Sequence, residues 1–163
     1  MISQKELLKA LIPLLQKEGK QYAKYRPIHA KPAEEGEPIM TVTADGPETI
    51  NTADEDDIIV KNTTYAGEQY LMSEEKFKQR YRWLRDLPNG WAEYQPIGKI
   101  LAIELTDRIL QKLGQPTEFQ FEASWGEAMV AKKGDYLAVP LDLRQTYRIA
   151  RQEFFETYKL DEA

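Results

Sequence analysis

One stretch of this chain occurs twice. Tyr22-Ala23-Lys24-Tyr25-Arg26-Pro27-Ile28 returns as Trp91-Ala92-Glu93-Tyr94-Gln95-Pro96-Ile97. Further along, Tyr70, Phe77 and Tyr81 return in the same order and spacing as Tyr147, Phe154 and Tyr158. The two matches lie farther apart in the second copy, so that copy carries a net insertion. Thr106–Gly114 is the place for it, with a short helix signature and no earlier counterpart. Seven of the nine tyrosines fall in matched positions. Aromatic rings bury large areas and hold fixed contacts, so rings recurring at constant spacing predict two equivalent small cores. Copies of about 60–70 residues are marginal alone, which predicts that the two fold as one unit.

The organisation expected is an N-terminal helix over 1–19, a first repeat over 20–86 and a second over 90–160, joined at Leu87-Pro88-Asn89-Gly90. Ser3 and Glu6 have capping-box spacing. Leu7, Leu8, Leu11, Ile12, Leu14 and Leu15 then recur at helical period up to Gly19. Pro13 predicts a kink or an early end there. Residues 30–38 read as a loop.

Period-two alternation predicts strands at 22–29, 38–44, 57–62 and 68–72 in the first repeat, and at 92–105, 117–123, 135–139 and 145–149 in the second. Closing helices are expected at 73–82, with Ser73 as N-cap, and at 151–158, with an inserted helix at 106–113. The class is α+β: a tandem duplication of a small antiparallel β-rich unit, each copy closed by a short helix.

At Lys133-Gly134-Asp135-Tyr136-Leu137, flanked by Trp125-Gly126-Glu127, Val139, Tyr147, Phe154 and Tyr158, the second repeat resembles the small PGDYG-type proteins of bacteria and phages. Those proteins carry a Pro-Gly-Asp-Tyr-like turn between two strands, then an aromatic strand and a helix ending in Thr-Tyr. Thr157-Tyr158 matches that ending, whereas Lys133 and Leu137 replace the usual Pro and final Gly. In the first repeat Asp56-Asp57-Ile58-Ile59-Val60 replaces the turn, while Gly67-Glu68-Gln69-Tyr70 and Phe77…Tyr81 agree. The resemblance implies a fold type and no chemistry.

Composition excludes several functions. The chain has no cysteine, so disulfides, thiolate nucleophiles and cysteine-ligated metals are ruled out. His29 is the single histidine, too few for a His-Glu-x-x-His zinc site. Nine glycines form no phosphate-cradling loop, and no Gly-x-Ser-x-Gly occurs, so no cofactor is expected. The charge of -5, from 22 basic and 27 acidic residues, argues against a dedicated nucleic-acid binder. No run of about 18 apolar residues occurs, so no membrane partner is expected and the cytoplasm is the default location.

Three clusters remain. Asp54-Glu55-Asp56-Asp57 offers carboxylate oxygens to a hard cation but lacks calcium-loop spacing, and reads as a solvated turn. Lys76, Lys78, Arg80, Arg82 and Arg85, with Tyr81 and Trp83 between them, have the composition of a single-strand binder. They also read as a charged helix face over buried Phe77 and Tyr81, and the matching Glu153, Phe155, Glu156 and Thr157 are not basic. Asp135 and Glu127 could pair as acid and base, although Gly-Asp is an ordinary turn pair.

The function expected is therefore a non-catalytic binding or accessory module that acts through the seam between the repeats. Trp91, Trp125, Glu127, Asp135 and Tyr136 are the candidate contact residues, and the partner is a protein or a small molecule. A carboxylate-dependent hydrolase, with or without a metal, is the first alternative. A single-strand nucleic-acid binder using 76–85 is the second. No catalytic or metal-ligating residue is assigned.

Overall fold

Ser3 starts the first helix, α1 (Gln4–Glu18): its hydroxyl accepts from the Glu6 amide at 3.1 Å and donates to the Glu6 carboxylate at 3.0 Å. The helix runs through Pro13 to Gly19, so the early end expected there does not occur. Proline removes one backbone bond and costs about 3 kcal/mol. Leu7, Leu11 and Leu15 are buried, each at roughly 1.5–3 kcal/mol, and together they outweigh it.

The computed structural model describes residues 1–43, 46–65 and 67–161. After α1 come β1 (Lys20–Lys24), β2 (Ile28–Pro32), β3 (Pro38–Thr43), β4 (Gly46–Thr52), β5 (Asp57–Asn62) and β6 (Gln69–Ser73). Then follow α2 (Glu74–Arg80), β7 (Tyr81–Asp86), β8 (Ala92–Pro96), β9 (Lys99–Glu104), α3 (Asp107–Leu113), β10 (Glu118–Glu122) and β11 (Ala128–Lys132). The chain closes with β12 (Tyr136–Pro140), β13 (Tyr147–Ile149), α4 (Arg151–Thr157) and β14 (Tyr158–Leu160). The class is α+β with antiparallel sheets.

Several expected boundaries change. The strand expected at 92–105 is two, parted at Ile97-Gly98, and 22–29 is likewise two, parted at 25–27, with β2 running to Pro32 into the expected loop. The strand expected at 38–44 is described to Thr43, and residue 44 lies outside the described residues. Strands β4 and β11 were not expected at all. The closing helices end at Arg80 and Thr157, and the chain turns directly into β7 and β14. Tyr81 and Tyr158 are already extended there, because each returns its ring to the core.

The chain divides into two compact units, Met1–Ala23 with Lys99–Ala163, and Lys24–Gly98. This division crosses the repeat boundaries read from the sequence: β1 goes with 99–163 and β8 with 24–98. In Lys24–Gly98 a five-stranded sheet runs β6-β5-β2-β8-β7. In the other unit the order is β13-β12-β9-β1-β14. Each sheet carries a two-stranded hairpin between two of its strands, β3-β4 or β10-β11.

The two sheets place the same kinds of residue at the same register positions. Ala30 faces Val60, and Val60 faces Tyr70. Ala102 faces Ala138, and Ala138 faces Tyr147. Phe77 stacks on Tyr81 at 4.9 Å, as Phe154 does on Tyr158 at 5.5 Å. Tyr94, opposite Ile28, meets Phe77 edge-on at 4.7 Å. Tyr22, opposite Ile100, meets Phe154 edge-on at 4.8 Å. Tyr22 is thus the positional equivalent of Tyr94, and the sequence match of Tyr22 with Trp91 is three residues out of register.

Both units also build one turn. Asp57 Oδ2 accepts from the Asp54 amide at 2.9 Å, and Asp135 Oδ2 from the Lys132 amide at 3.0 Å. The residue before each aspartate has positive φ, 64° at Asp56 and 96° at Gly134. The Asp56-Asp57 sequence therefore keeps the turn that Gly134-Asp135 makes, with an aspartate tolerating the left-handed conformation.

A candidate binding groove

The groove lies in Lys24–Gly98, between α2 and the face of the sheet that α2 covers. Ile58, Phe77, Lys78, Tyr81, Trp83 and Tyr94 are among its lining residues, and its volume is about 380 Å³. Ser73 starts α2 by accepting from the Lys76 amide; Phe77 is the buried residue of α2, and Tyr81, the first residue of β7, stacks on it from the strand. Alternation along β5 and β8 points Ile58, Val60 and Tyr94 to the same side. Lys78 closes the rim through an ion pair with Glu74 at 3.0 Å. Trp83 stands 55% exposed, its ring nitrogen donating to Asp86 at 3.1 Å.

The other unit shows why this space is open. Tyr136 occupies the register position of Ile58, and Phe155 follows Phe154 as Lys78 follows Phe77. Tyr136 lies flat on Phe154 at 3.8 Å, and Phe155 meets Tyr136 edge-on at 5.7 Å. The Arg151 guanidinium sits 5.2 Å above the Phe155 ring and bonds Glu104 at 2.7 Å. Tyr136 also donates to Glu104, at 3.3 Å. Tyr136 is the buried ring of the two and stands beside Phe154 where Ile58 stands beside Phe77, while Phe155 is 52% exposed.

The hydroxyl chemistry of the groove is passive. Tyr70 and Tyr81 hydroxyls lie 3.0 Å apart and bond each other. Burial pushes both phenols above the ordinary range. In the other unit burial, with the Glu104 carboxylate beside it, pushes Tyr136 up to about 12. These tyrosines are neutral donors at ordinary pH.

The residues singled out from the sequence are distributed as follows. Trp91 belongs to Lys24–Gly98, with Lys31 Nζ 4.8 Å over its ring. Trp125 is 61% exposed on the β10–β11 turn, its ring nitrogen donating to Glu127 at 3.2 Å. It borders an open cleft with Gln4, Lys5, Leu8 and Arg144. Asp135 is 2% exposed and accepts from Arg148 at 3.1 Å as well as from the turn. Tyr136 is buried. Asp135 and Glu127 are thus each engaged by separate partners, one inside and one at the surface.

The acidic run 54–57 forms the turn described above. Among the described residues no group of three or more His, Asp or Glu could hold a metal ion. The basic cluster 76–85 spans α2 and β7, and is not a single helix face. His29 meets Glu93 at 3.6 Å. No helix among the described residues is long and apolar enough to cross a membrane. Sequence reasoning missed Ile58 and Tyr94 as groove residues. The signal was the replacement of Phe155 by Lys78 at matched spacing, which reads as a difference in volume as well as in charge. Comparison with family models, with curated proteins and with solved structures finds no match for the chain.

Proposed function

We propose that this chain is a non-catalytic binding module whose ligand site is the groove of Lys24–Gly98, and that the site takes one planar apolar group. What supports this is the contrast at one register position: Tyr136 lies flat on Phe154 in one unit, and the smaller Ile58 borders the groove in the other. A volume of about 380 Å³ lies at the lower end of ordinary ligand sites. Its walls offer ring faces and edges, and the Tyr81 hydroxyl at one wall is already bonded to Tyr70. We read the two units as products of a tandem duplication, one copy of which plugged its groove with its own side chains. Kinship with the PGDYG-type proteins belongs to the same reading, and the Gly134-Asp135 turn is what supports it.

The test uses p-cresol and indole as probes, with binding followed by NMR. In the wild-type chain both should shift signals of Phe77, Trp83 and Tyr94. The double variant Ile58→Tyr/Lys78→Phe, which copies the filled unit, should keep its melting transition and lose those shifts. Equal shifts in the filled variant would overturn the reading.

A further inference from the structure

We infer that the unit formed by Met1–Ala23 and Lys99–Ala163 holds a second ligand site, at the cleft beside Trp125, and that it takes a nucleoside monophosphate: a planar base joined to a phosphate monoester. This site is independent of the groove in Lys24–Gly98. Three segments wall it: the start of α1, the 122–126 end of the β10–β11 hairpin, and the 141–146 connection after β12. Gln4 locks the three together. Its amide nitrogen donates to the Glu122 carbonyl at 2.7 Å, and its Oε1 accepts from the Thr146 amide at 2.6 Å. Ile2 adds two backbone bonds, its amide donating to the Gln120 carbonyl at 3.2 Å and its carbonyl accepting from the Glu122 amide at 2.9 Å. The walls are therefore set before any ligand arrives, which lowers the ordering cost of binding.

Trp125 supplies the ring contact. It sits at the hairpin tip, 61% exposed, where Gly126 takes a φ of 94° and donates to the Ala123 carbonyl at 2.9 Å to close the turn. Its indole nitrogen already donates to Glu127 at 3.2 Å, so what it has left to offer is the ring itself. Stacking on such a ring tolerates any base, because every base has a π face. The cleft volume of about 620 Å³ lies within the ordinary range for small-ligand sites.

Lys5 and Arg144 supply the charge. Both line the cleft and both are exposed. Among the described residues neither side chain makes an ion pair, whereas Arg108 and Lys112 on α3 are both taken by Glu18. A phosphate monoester carries about −1.5 to −2 at neutral pH and so matches two cations, where a carboxylate matches one. Among the described residues Glu122 is the one acid of the lining. Its Oε1 accepts from the Gln4 backbone amide at 3.4 Å, and the carboxylate keeps capacity to accept from a ribose hydroxyl or a base amino group. Two cations against one carboxylate leave the lining positive in a chain that carries -5 overall.

The experiment follows the Trp125 indole N–H by NMR while the full chain is titrated with adenosine 5′-monophosphate. Its comparators are adenosine, inorganic phosphate, indole-3-acetate and a thymidine oligonucleotide. The monophosphate should shift Trp125 and the amides of 123–126, and bind about ten-fold or more tightly than adenosine or phosphate. Raised salt should weaken it. The variant Lys5→Gln/Arg144→Gln, which alters two exposed side chains, should keep its melting transition and bind the monophosphate no better than adenosine. Trp125→Ala, read at the 123–126 amides, should bind the monophosphate no better than phosphate. Adenosine equal to the monophosphate in the wild-type chain would overturn the phosphate assignment, and phosphate equal to it would overturn the ring. Tighter binding of indole-3-acetate would reassign the site to a carboxylate, and tighter binding of the oligonucleotide to a nucleic-acid strand. Shifts confined to Phe77 and Tyr94 would overturn this site and leave the groove reading standing.

Discussion

The two sheets carry the same ring core and differ in what surrounds it. On the helix-covered face, Phe77, Tyr81 and Tyr94 repeat the arrangement of Phe154, Tyr158 and Tyr22. On the opposite face they part. Leu101, Ile103, Leu137 and Val139 join a core with α1, α3 and the β10–β11 hairpin. The equivalent positions in the other sheet are His29, Lys31, Ile59 and Lys61. There His29 and Arg85 converge on Glu93, at 3.6 and 3.2 Å. One sheet is buried on both faces, as a continuous apolar run requires. The other alternates along β2, while in β5 both Ile59 and Val60 are buried. One ring arrangement under a closing helix thus coexists with two different opposite faces, one apolar and one carrying charged side chains.

That comparison can be broken by mutation. The largest expected effect is at the central ring. Phe154, 1% exposed and touching Tyr22, Tyr136 and Tyr158, should lose about 4 kcal/mol on conversion to alanine. Phe77→Ala, beside a cavity that already exists, should cost nearer 3 kcal/mol. Urea denaturation gives both values, and a larger loss at Phe77 would contradict the view that its surroundings are the less filled.

Next come the turn aspartates. Asp135→Asn strips the charge partner from Arg148, itself largely buried, and should cost roughly 3 kcal/mol. Asp57 pairs with no arginine among the described residues, so Asp57→Asn keeps the turn bond and should cost under about 1 kcal/mol. Similar melting shifts in the two variants would mean that the turn alone sets the cost.

A smaller asymmetry should appear at alkaline pH. Tyr136 is pushed up to about 12 when folded, against about 10 when unfolded. Its neutral form is the one the fold favours, so the stability it contributes is whole below pH ~10 and is lost as pH rises toward about 12. Tyr136→Phe should flatten that loss in urea midpoints taken across the window. A slope unchanged by the substitution would remove Tyr136 from the account. The smallest effect belongs to Arg151→Ala, whose exposed pair with Glu104 is screened by solvent. Its melting temperature should match wild type within error, and a drop as large as that of Asp135→Asn would show that the pair holds Phe155 in place.

The aromatic spacing told a great deal from sequence, because Phe77/Tyr81 and Phe154/Tyr158 sit four apart across a helix end, where the short connection keeps the two rings in contact although the tyrosine is already extended. The register of Tyr22 was not readable in the same way. The match of Pro27 with Pro96 aligned the chain by its break points, whereas the sheets align it by which residue stands opposite Ile28 or Ile100. Strands β4 and β11 escaped because neither alternates: β4 has Ile50 as its one aliphatic residue, and β11 has four apolar residues in a row, Ala128 to Ala131, although their hairpin partners β3 and β10 were expected. The groove was hidden for another reason. A cavity is an absence of volume, and it shows only when Ile58 is set against Tyr136.

The distribution of β1 has a consequence for synthesis. Its partner β9 lies beyond residues 24–98, so on the ribosome α1 and β1 emerge long before the strand they pair with. Lys24–Gly98 closes on itself, with the Lys24 amide bonded to the Gly98 carbonyl and β2 paired to β8. It has all its strands as soon as β8 is out. The order of synthesis thus favours residues 24–98 finishing first, while Leu7, Leu11 and Leu15 wait, exposed, for the strands and helix of 99–163 that cover them.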